Sequence, residues 1–452
     1  MTTSNPLRTA EPLLPVELSP GKVRFAQGMK AGRWVFATGL MAQDFIHGIA
    51  PDVLAERAPH AGLPKREKEA ARIFANLEGV LRAAGTDRTN LVRTDQYYTT
   101  VKAVPAYQHV RREFLRGRIP PSTSITQQGL LLPAADMNVQ AMAVIPQAGF
   151  EVVHLKHERL KGRPTSGYSP ALTVGDFIFI PGITSMAVPD EPQRNGVAAT
   201  ALMPEGAQWG GQPIKLETEF IITQRIAASL ELAGAGLADV VHAQVYLTDP
   251  EDYSAFNEVW SRHFAKSQPT LSVIPCVEHA LAPYDGKIEI NVLAAKPGST
   301  AKKHHVDAGV TTSFHGQPQA VKAADLLFIS GLMAIERDGL AHRPRATRAS
   351  PGFHPRLRRR RNSSSIASPG CARPLAPRLP MSCESSNSTP ISGSSIRCTR
   401  SGSAGWAAVR CRFPQWRSPR RCRFRGRRCR SRPGSTPPDR PETSKPAGLE
   451  QE

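Results

Sequence analysis

The sequence predicts an α+β protein built from repeated domains, each with one mostly antiparallel sheet and two helices on one face. The first observation is a short glycine-containing motif, here called the glycine phrase, that occurs three times. Its copies are VFATGLMAQ at 35–43, FIPGITSM at 179–186 and FISGLMAIE at 328–336. The second is the order of hydrophobic spacing within one repeat, which runs strand, strand, helix, strand, helix, strand, strand. Together these observations indicate tandem copies of one small fold.

The repeat has the length of one small domain. Gly39 recurs after 143 residues as Gly182, which recurs after a further 149 residues as Gly331. Gly85 recurs after 149 residues as Gly234. A period of this length is too long for a solenoid and is typical of a compact domain.

The first half of the second repeat contains a strand and a helix. Residues 176–180 are β-branched and aromatic, which predicts a strand that stops at the Pro-Gly pair 181–182. Residues 216–232 place apolar side chains at helical spacing, which predicts a helix. Gly234 and Gly236 follow as its stop signal.

The second half of this repeat contains three strands and a helix. Residues 240–247 predict a strand, and 252–264 predict an amphipathic helix with large apolar residues at i, i+3, i+4 and i+8 from Phe256. Residues 270–276 and 287–295 close the repeat as two strands. The last strand alternates apolar side chains on one face.

Charge and cysteine content divide the chain near residue 340. Residues 341–452 hold 25 of the 58 Lys and Arg residues but 5 of the 38 Asp and Glu residues, so they carry the whole formal net charge of +20. Six of the seven cysteines lie there as well, while Cys276 alone lies in the body. One thiol in the body is compatible with a reducing compartment, and the sequence has no apolar run of membrane-spanning length. We therefore expect a cytoplasmic protein without a membrane partner.

These observations divide the chain into four segments. They are a first domain at 1–150, a second at 151–300, the start of a third at 301–345, and an Arg-, Ser- and Pro-rich tail at 346–452 that we expect to be disordered.

The tail has two interpretations. With permissible codon choices, a shifted reading frame restores the repeat's helix stop, its second helix and its last strand in the right order. The leading interpretation is therefore a third domain that is read out of frame. The alternative is an arginine-rich nucleic-acid-binding tail with its cores at 356–361 and 420–432. We expect no specific nucleic-acid partner.

Five passages of the second repeat are specific enough to compare with known families. They are the glycine phrase at 179–186, the AG…VV…VYLTD run at 233–249, FNEVWSRHF at 256–264, PTLS at 269–272 and KIEINVLAA at 287–295. In these passages the repeats resemble the RidA (YjgF) family, which older naming labels endoribonuclease L-PSP. The resemblance covers 164–297 and, more loosely, 22–146. The resemblance implies a chorismate-mutase-like fold that assembles as trimers, with ligand clefts between neighbouring units.

The resemblance also implies a chemistry, because active family members hydrolyse reactive enamine or imine intermediates. Its glutamate position holds Glu289 in the second repeat and Asn138 in the first, and its aromatic position holds Tyr168 in the second repeat. The arginine that binds the substrate carboxylate is replaced by Thr123 and Leu271. Loss of this arginine favours a substrate without the usual carboxylate, or no catalysis at all.

We predict Glu289 as the acid or base that positions water, with no cofactor and no metal. The predicted substrate-binding residues are Tyr168, Gly182, Leu271 and Ser272. Two alternatives are a solvent-facing Glu289 on an alternating strand and a merely packed Tyr168.

The predicted partners are a small-molecule substrate or ligand and other RidA-type units, with the repeats forming a single-chain pseudo-trimer. Two other functions are left open. One is a noncatalytic ligand-binding or scaffold role on the same fold. The other is RNA cleavage, which the older family label suggests.

Overall fold

In its described part the structure, a computed structural model, contains three main sheets that follow one another along the chain and two additional two-stranded hairpins. It describes residues 10–18, 23–46, 48–55, 62–157, 160, 166–204, 206–207, 212–309, 316–333, 335–336 and 339–340. All of these belong to one structural unit, Met1–Arg373. The predicted tail at 346–452, with its expected disorder, lies outside the described residues.

The first repeat forms a six-stranded sheet with three helices. Its strands are β1 (Ala10–Leu18), β2 (Val23–Ala31), β3 (Trp34–Leu40), β4 (Leu91–Tyr98), β5 (Ser122–Thr126) and β6 (Met137–Val144). Its helices are α1 (Pro51–Leu54), α2 (Lys65–Ala84) and α3 (Val104–Leu115). The strand order is β1-β2-β3-β6-β4-β5. β4 and β5 run parallel because α3 carries the chain back between them, while the other neighbouring pairs run antiparallel.

The second repeat forms a six-stranded sheet with the same pattern and a separate two-stranded hairpin. Its strands in chain order are β7 (Val153–Leu155), β8 (Ala171–Val174), β9 (Phe177–Ile183), the hairpin strands β10 (Gln193–Arg194) and β11 (Val197–Ala198), β12 (Val240–Leu247), β13 (Thr270–Pro275) and β14 (Ile288–Ala295). Its helices are α4 (Pro213–Phe220), a π-helical segment (Ile221–Ile226), α5 (Ala227–Glu231) and α6 (Tyr253–Phe264). The sheet order is β13-β12-β14-β9-β8-β7, with β12 and β13 parallel.

The third repeat contributes smaller sheets in its described part. They comprise β15 (His304–Val306), β16 (Ala320–Ala323) and β17 (Leu326–Ile329), followed by a hairpin of β18 (Ile335–Glu336) and β19 (Gly339–Leu340). Short 3₁₀ turns elsewhere in the chain are Arg88–Asn90, Val101–Ala103, Ala199–Ala201, Leu237–Asp239 and Pro250–Asp252.

Each six-stranded sheet packs one face against its own helices. In the first repeat, Phe74 and Leu77 of α2 share a buried cluster with Val139 of β6. In the second repeat, Phe256 of α6 shares one with Val292 of β14. The predicted fold class is confirmed, with mostly antiparallel sheets and the helices on one face of each six-stranded sheet.

The opposite faces of the three sheets meet in a separate apolar cluster. The ring centroid of Trp34 in β3 lies 5.6 Å from that of Phe177 in β9, and the Phe177 centroid lies 6.2 Å from that of Phe328 in β17. Burial of one large apolar side chain contributes about 1.5–3 kcal/mol. This cluster therefore holds the repeats together.

Two predicted element boundaries were wrong. β9 does not stop at Pro181 but continues to Ile183, because a register shift against β14 accommodates the proline, which cannot donate a ladder hydrogen bond. The first helix of the second repeat begins at Pro213 instead of residue 216, since proline is well suited to the first helical position. In addition, β1 and β7 each add an unpredicted edge strand to the six-stranded sheet of their repeat.

Candidate functional site

The glutamate predicted to be catalytic lies where the first two sheets meet. Glu289 of β14 sits beside Gly182 of β9, and a Cβ added to Gly182 would overlap Glu289 Oε1 and lie 2.8 Å from its Cδ. On the side of Glu289 that faces the first repeat, strand β5 covers the carboxyl group. Thr123 Oγ1 of β5 lies 3.0 Å from the same added Cβ, and the Ser124 backbone amide donates to the Glu289 carboxylate. The carboxyl group therefore occupies space that only a glycine leaves open.

Burial gives Glu289 an unusual protonation behaviour. Glu289 is 5% exposed, so the alternative of a solvent-facing glutamate does not hold. Burial raises the pKa of Glu289 to about 8; nearby Asp95 acts in the same direction, while the Ser124 amide and Arg93 oppose it. At neutral pH this carboxyl group holds its proton and can donate it, which an ordinary glutamate cannot do.

Tyr168 joins Glu289 at the same contact between repeats. A parallel bridge pairs Tyr168 with Ile119 of the first repeat, and its ring packs against the first repeat's core. Burial raises the pKa of Tyr168 to about 12; the charge of Glu289 adds to the rise, and Arg225 opposes it. The Tyr168 hydroxyl is thus a neutral donor, and the charges of both Glu289 and Arg225 influence its pKa.

A small cavity opens beside Tyr168. Its volume is ≈ 40 Å³. The lining residues are Leu160, Tyr168, Ile183, Thr184, Met186, Ala187, Val188, Pro189, Arg225 and Ser229. It is therefore an apolar pocket with three hydroxyl groups and one guanidinium group.

Two of the predicted binding residues lie at a different contact. The Leu271 amide donates to Ser330 Oγ at 3.2 Å, and the Gly331 amide donates to the Leu271 carbonyl at 2.9 Å. An added Cβ on Gly331 would lie 3.3 Å from the Ser272 Cα. The structure thus brings Glu289, Tyr168 and Gly182 together, while Leu271 and Ser272 face the third repeat.

The β5-type strands, which are β5 in the first repeat and β13 in the second, explain this division. Each of these two strands faces the glycine phrase of the following repeat, so Thr123 and Ser124 are the residues that reach Glu289. They are the counterparts of Leu271 and Ser272 in the aligned repeats. The sequence does contain a signal for them. The two repeats can be aligned, and the family places its clefts between neighbouring units, so the residues of the first repeat at these positions are expected to face the second repeat.

Sequence reasoning also missed a buried polar network behind Thr123. Arg93 Nη2 and Asn291 Nδ2 both donate to Thr123 Oγ1, at 3.3 and 3.1 Å. Arg93 Nε donates to Asp95 Oδ2 at 2.8 Å, in an ion pair whose side chains are about nine-tenths buried. The network fixes the position of β5 over Glu289 because charged hydrogen bonds of this kind are strong when buried.

A larger cavity lies among the three sheets. Its volume is ≈ 330 Å³, and its polar wall includes Arg93, Asp95, His242 and Gln244. Burial, with help from Arg93, lowers the pKa of His242 to about 4, and its ring stacks on Phe328 at 5.5 Å. His242 is therefore a neutral packed imidazole at physiological pH.

The first repeat has the same geometry without the carboxyl group. A Cβ on Gly39 would lie 2.9 Å from Asn138 Nδ2, which repeats the relation between Gly182 and Glu289. Thr38, just before Gly39, is exposed, whereas the matching Pro181 and Ser330 are buried. The first repeat therefore presents an open half-site whose side-chain amide cannot act as a proton acid.

The described residues contain neither a candidate metal cluster nor a candidate membrane-spanning helix. No three His, Cys, Asp or Glu side chains converge on a possible metal position there. In the same part of the chain, no helix has both the length and the apolar character needed to cross a membrane.

Comparison with known proteins identifies similar sequences. The family model described as Endoribonuclease L-PSP matches residues 18–145 and 160–296. A RutC family protein of Pyrococcus abyssi is 37% identical over 134 residues, which are 30% of this chain and 90% of that protein. The "Putative reactive intermediate deaminase TdcF" of Escherichia coli is 28% identical over 101 residues, which are 22% of this chain and 78% of that protein. A solved member of the YjgF/YER057c/UK114 family from Mycobacterium tuberculosis is 24% identical and covers 32% of this chain and 99% of its own, with a TM-score of 0.24.

Proposed function

Because this chain belongs to the Endoribonuclease L-PSP family, in two tandem copies, we propose that it hydrolyses a small reactive imine or enamine between these copies. The name of the related TdcF protein, a reactive intermediate deaminase, supports this reaction class. The proposal depends on one observation. Glu289 places a buried carboxyl group between Gly182 and Ser124, and burial raises the pKa of this group to about 8.

The reaction uses both protonation states of Glu289. The protonated carboxyl group donates to the imine nitrogen, which makes the carbon more electrophilic. The resulting carboxylate accepts a proton as water adds to that carbon. A second exchange of protons expels ammonia and forms the carbonyl group. One imine and one water yield one carbonyl compound and one ammonia, and Glu289 regains its proton.

The surrounding residues have supporting roles in this proposal. Gly182 leaves the space that the Glu289 carboxyl group needs, and Tyr168 lines the adjoining cavity as a neutral hydroxyl. Leu271 and Ser272 would line the corresponding cleft between the second and third repeats. Since β5 supplies Thr123 where the family's arginine is expected, this strand provides no guanidinium group for a substrate carboxylate.

The packing of the repeats supports a trimer-like assembly as part of the same proposal. Trp34, Phe177 and Phe328 bring one aromatic residue from each repeat into a common cluster. The exposed Thr38 marks the face of the first repeat on which a further RidA-type unit would dock. Solution mass and small-angle scattering of the full chain test this assembly.

The function is tested by replacing Glu289 in the full chain. Imines are generated in place from several amino acids by an amino-acid oxidase, and ammonia release is followed. We expect Glu289→Gln to lower the turnover rate by about 10²–10⁴-fold, the usual contribution of a general acid. The matched control is Glu69→Gln in the first repeat, because Glu69 is also fully buried but accepts from the Asp136 and Met137 amides.

Two outcomes would overturn the enzymatic proposal. If the intact chain releases ammonia no faster than buffer across all imines, the noncatalytic ligand-binding role is favoured. RNA cleavage that persists in Glu289→Gln would favour the ribonuclease alternative instead.

A further inference from the structure

Arg225 lies in the wall of the small cavity beside Tyr168. Its side chain is 13% exposed and projects from the π-helical segment Ile221–Ile226, which interrupts the long helix of the second repeat. Such π segments are rare and frequently occur at functional sites, because they redirect side chains from the regular helical face. The position of Arg225 in such a segment is therefore typical of a functional residue.

The guanidinium group is held in place but keeps unused donors. Arg225 Nη2 forms an ion pair with Glu191, whose carboxylate also accepts from the Val188 amide at 3.0 Å. The Arg225 Cζ lies 4.5 Å from the centroid of the Phe220 ring, which orients the planar group. No described residue accepts a hydrogen bond from Arg225 Nε or Nη1. A preorganised guanidinium with free donors suits a planar anion.

The remaining wall of the cavity suits a small carboxylate. Tyr168, Thr184 and Ser229 line it with hydroxyl groups, while Ile183 and Met186 supply apolar surface. Its ≈ 40 Å³ exceeds the roughly 10–15 Å³ that one water needs, so it has room for a carboxylate group. A guanidinium group and hydroxyl groups can all donate hydrogen bonds to a carboxylate.

Glu289 does not line this cavity, but the cavity's wall residue Ile183 directly follows Gly182 in β9, and the Glu289 carboxyl group lies against Gly182. The Tyr168 hydroxyl responds to the charges of both Glu289 and Arg225. A ligand with its anionic end at Arg225 would therefore extend past Tyr168 towards Glu289.

We propose that Arg225, with the hydroxyl groups of Tyr168, Thr184 and Ser229, forms a subsite for the carboxylate of the substrate. The inference rests on the proposed function and defines the substrate class as a small carboxylate-bearing imine. The positive charge that β5 lacks at Thr123 is supplied from a helix of the following repeat. Arg225 is thus a specificity-determining residue, while Glu289 performs the proton transfers.

The test measures binding and turnover separately in the full chain. Pyruvate, a minimal 2-oxo carboxylate, is titrated by calorimetry without any turnover. We expect Arg225→Gln to weaken pyruvate binding about 10- to 100-fold, as loss of a charged hydrogen bond implies, and Arg225→Lys to retain part of the affinity. The matched control is Arg262→Gln, because Arg262 also pairs with a glutamate of this repeat, Glu219, but is 59% exposed.

Turnover provides a second readout. With an imine derived from alanine, Arg225→Gln should raise KM by a similar factor and change kcat little. With a neutral imine that lacks a carboxylate, KM should stay within twofold of the unmodified chain. If removing Arg225 leaves Glu191 as an uncompensated charge and the variant fails to fold, the double variant Glu191→Gln/Arg225→Gln removes both charges and is measured instead.

The outcomes distinguish this inference from the proposed function. The subsite is overturned if the unmodified chain and Arg225→Gln bind pyruvate with equal affinity. It is also overturned if the unmodified chain binds no pyruvate at all. Either result holds against the subsite even if Glu289→Gln abolishes hydrolysis. Conversely, pyruvate binding that depends on Arg225 supports the subsite even if no imine is hydrolysed. Equal weakening by Arg262→Gln would also overturn it, because the effect would then follow from general charge.

Discussion

Gly182 and Glu289 occupy adjoining space so closely that the side chain of one requires the absence of a side chain on the other. A Cβ on Gly182 would overlap Glu289 Oε1 and lie 2.8 Å from Cδ. Glu289 cannot move freely aside, because the Ser124 amide of the first repeat donates to its carboxylate. This relation makes the glycine phrase part of the site as well as of the fold.

Substitution of Gly182 by alanine should therefore displace the Glu289 carboxyl group. Overpacking of this kind typically costs about 1–3 kcal/mol of the free energy of unfolding. We expect Gly182→Ala to lower imine turnover along with stability, as measured by ammonia release and urea denaturation. Gly236→Ala is the control, since a Cβ there would meet nothing within 4 Å. Full activity in Gly182→Ala would contradict the role assigned to this contact.

The pKa of Glu289, raised by burial to about 8, predicts activity that falls as pH rises through that value. The protonated form is the proton donor, so a rate profile from about pH 6 to about pH 10 should lose activity on its alkaline side. A rate that is constant across that range, with chemistry rate-limiting, would contradict the acid role.

Stability should follow pH with the same sign. Between the ordinary pKa of 4.5 and about 8, folded Glu289 keeps a proton that the unfolded chain releases. The contribution of Glu289 to the free energy of unfolding therefore decreases as pH rises through this window. Glu289→Gln removes that contribution, so the stability of the variant relative to the unmodified chain should increase with pH. Urea denaturation of both proteins at two pH values measures the difference.

Removal of the Thr123 hydroxyl should loosen the contact between the first two repeats. Thr123→Val keeps the shape but leaves Arg93 Nη2 and Asn291 Nδ2 without their shared acceptor. A buried donor left without this partner costs about 1–3 kcal/mol, which urea denaturation would detect. Thr173→Val is the control, because Thr173 is half-buried and its hydroxyl bonds no described residue. Equal losses in both variants would argue against a specific role for Thr123.

The repeat pattern predicts an altered reading frame in the third repeat. We expect resequencing of the gene across codons 335–365 to reveal a single-base insertion or deletion. A corrected frame would supply the rest of a third domain, and its β5-type strand would cover the exposed Thr38. An unchanged sequence, with the basic tail detected in the purified protein by mass spectrometry, would contradict this interpretation.

Local sequence patterns were sufficient to predict the fold class and most elements of the second repeat. The strand at Val240–Leu247 has the predicted bounds, and α6 begins within one residue of its predicted start. These elements depend on local hydrophobic spacing, which the sequence displays directly. Glu289 and Tyr168 could be singled out because a family resemblance marks their positions residue by residue.

The residues that share a site are brought together by tertiary packing, which the sequence patterns do not show. Thr123 and Glu289 are more than one repeat apart in the chain, and they meet because β5 packs against the following repeat. The burial that raises the pKa of Glu289 has the same origin, since its alternating strand is buried on both faces. Arg225 reaches its cavity through a π-helical segment that hydrophobic spacing does not reveal. Long-range packing sets these three features, and local sequence patterns contain no record of it.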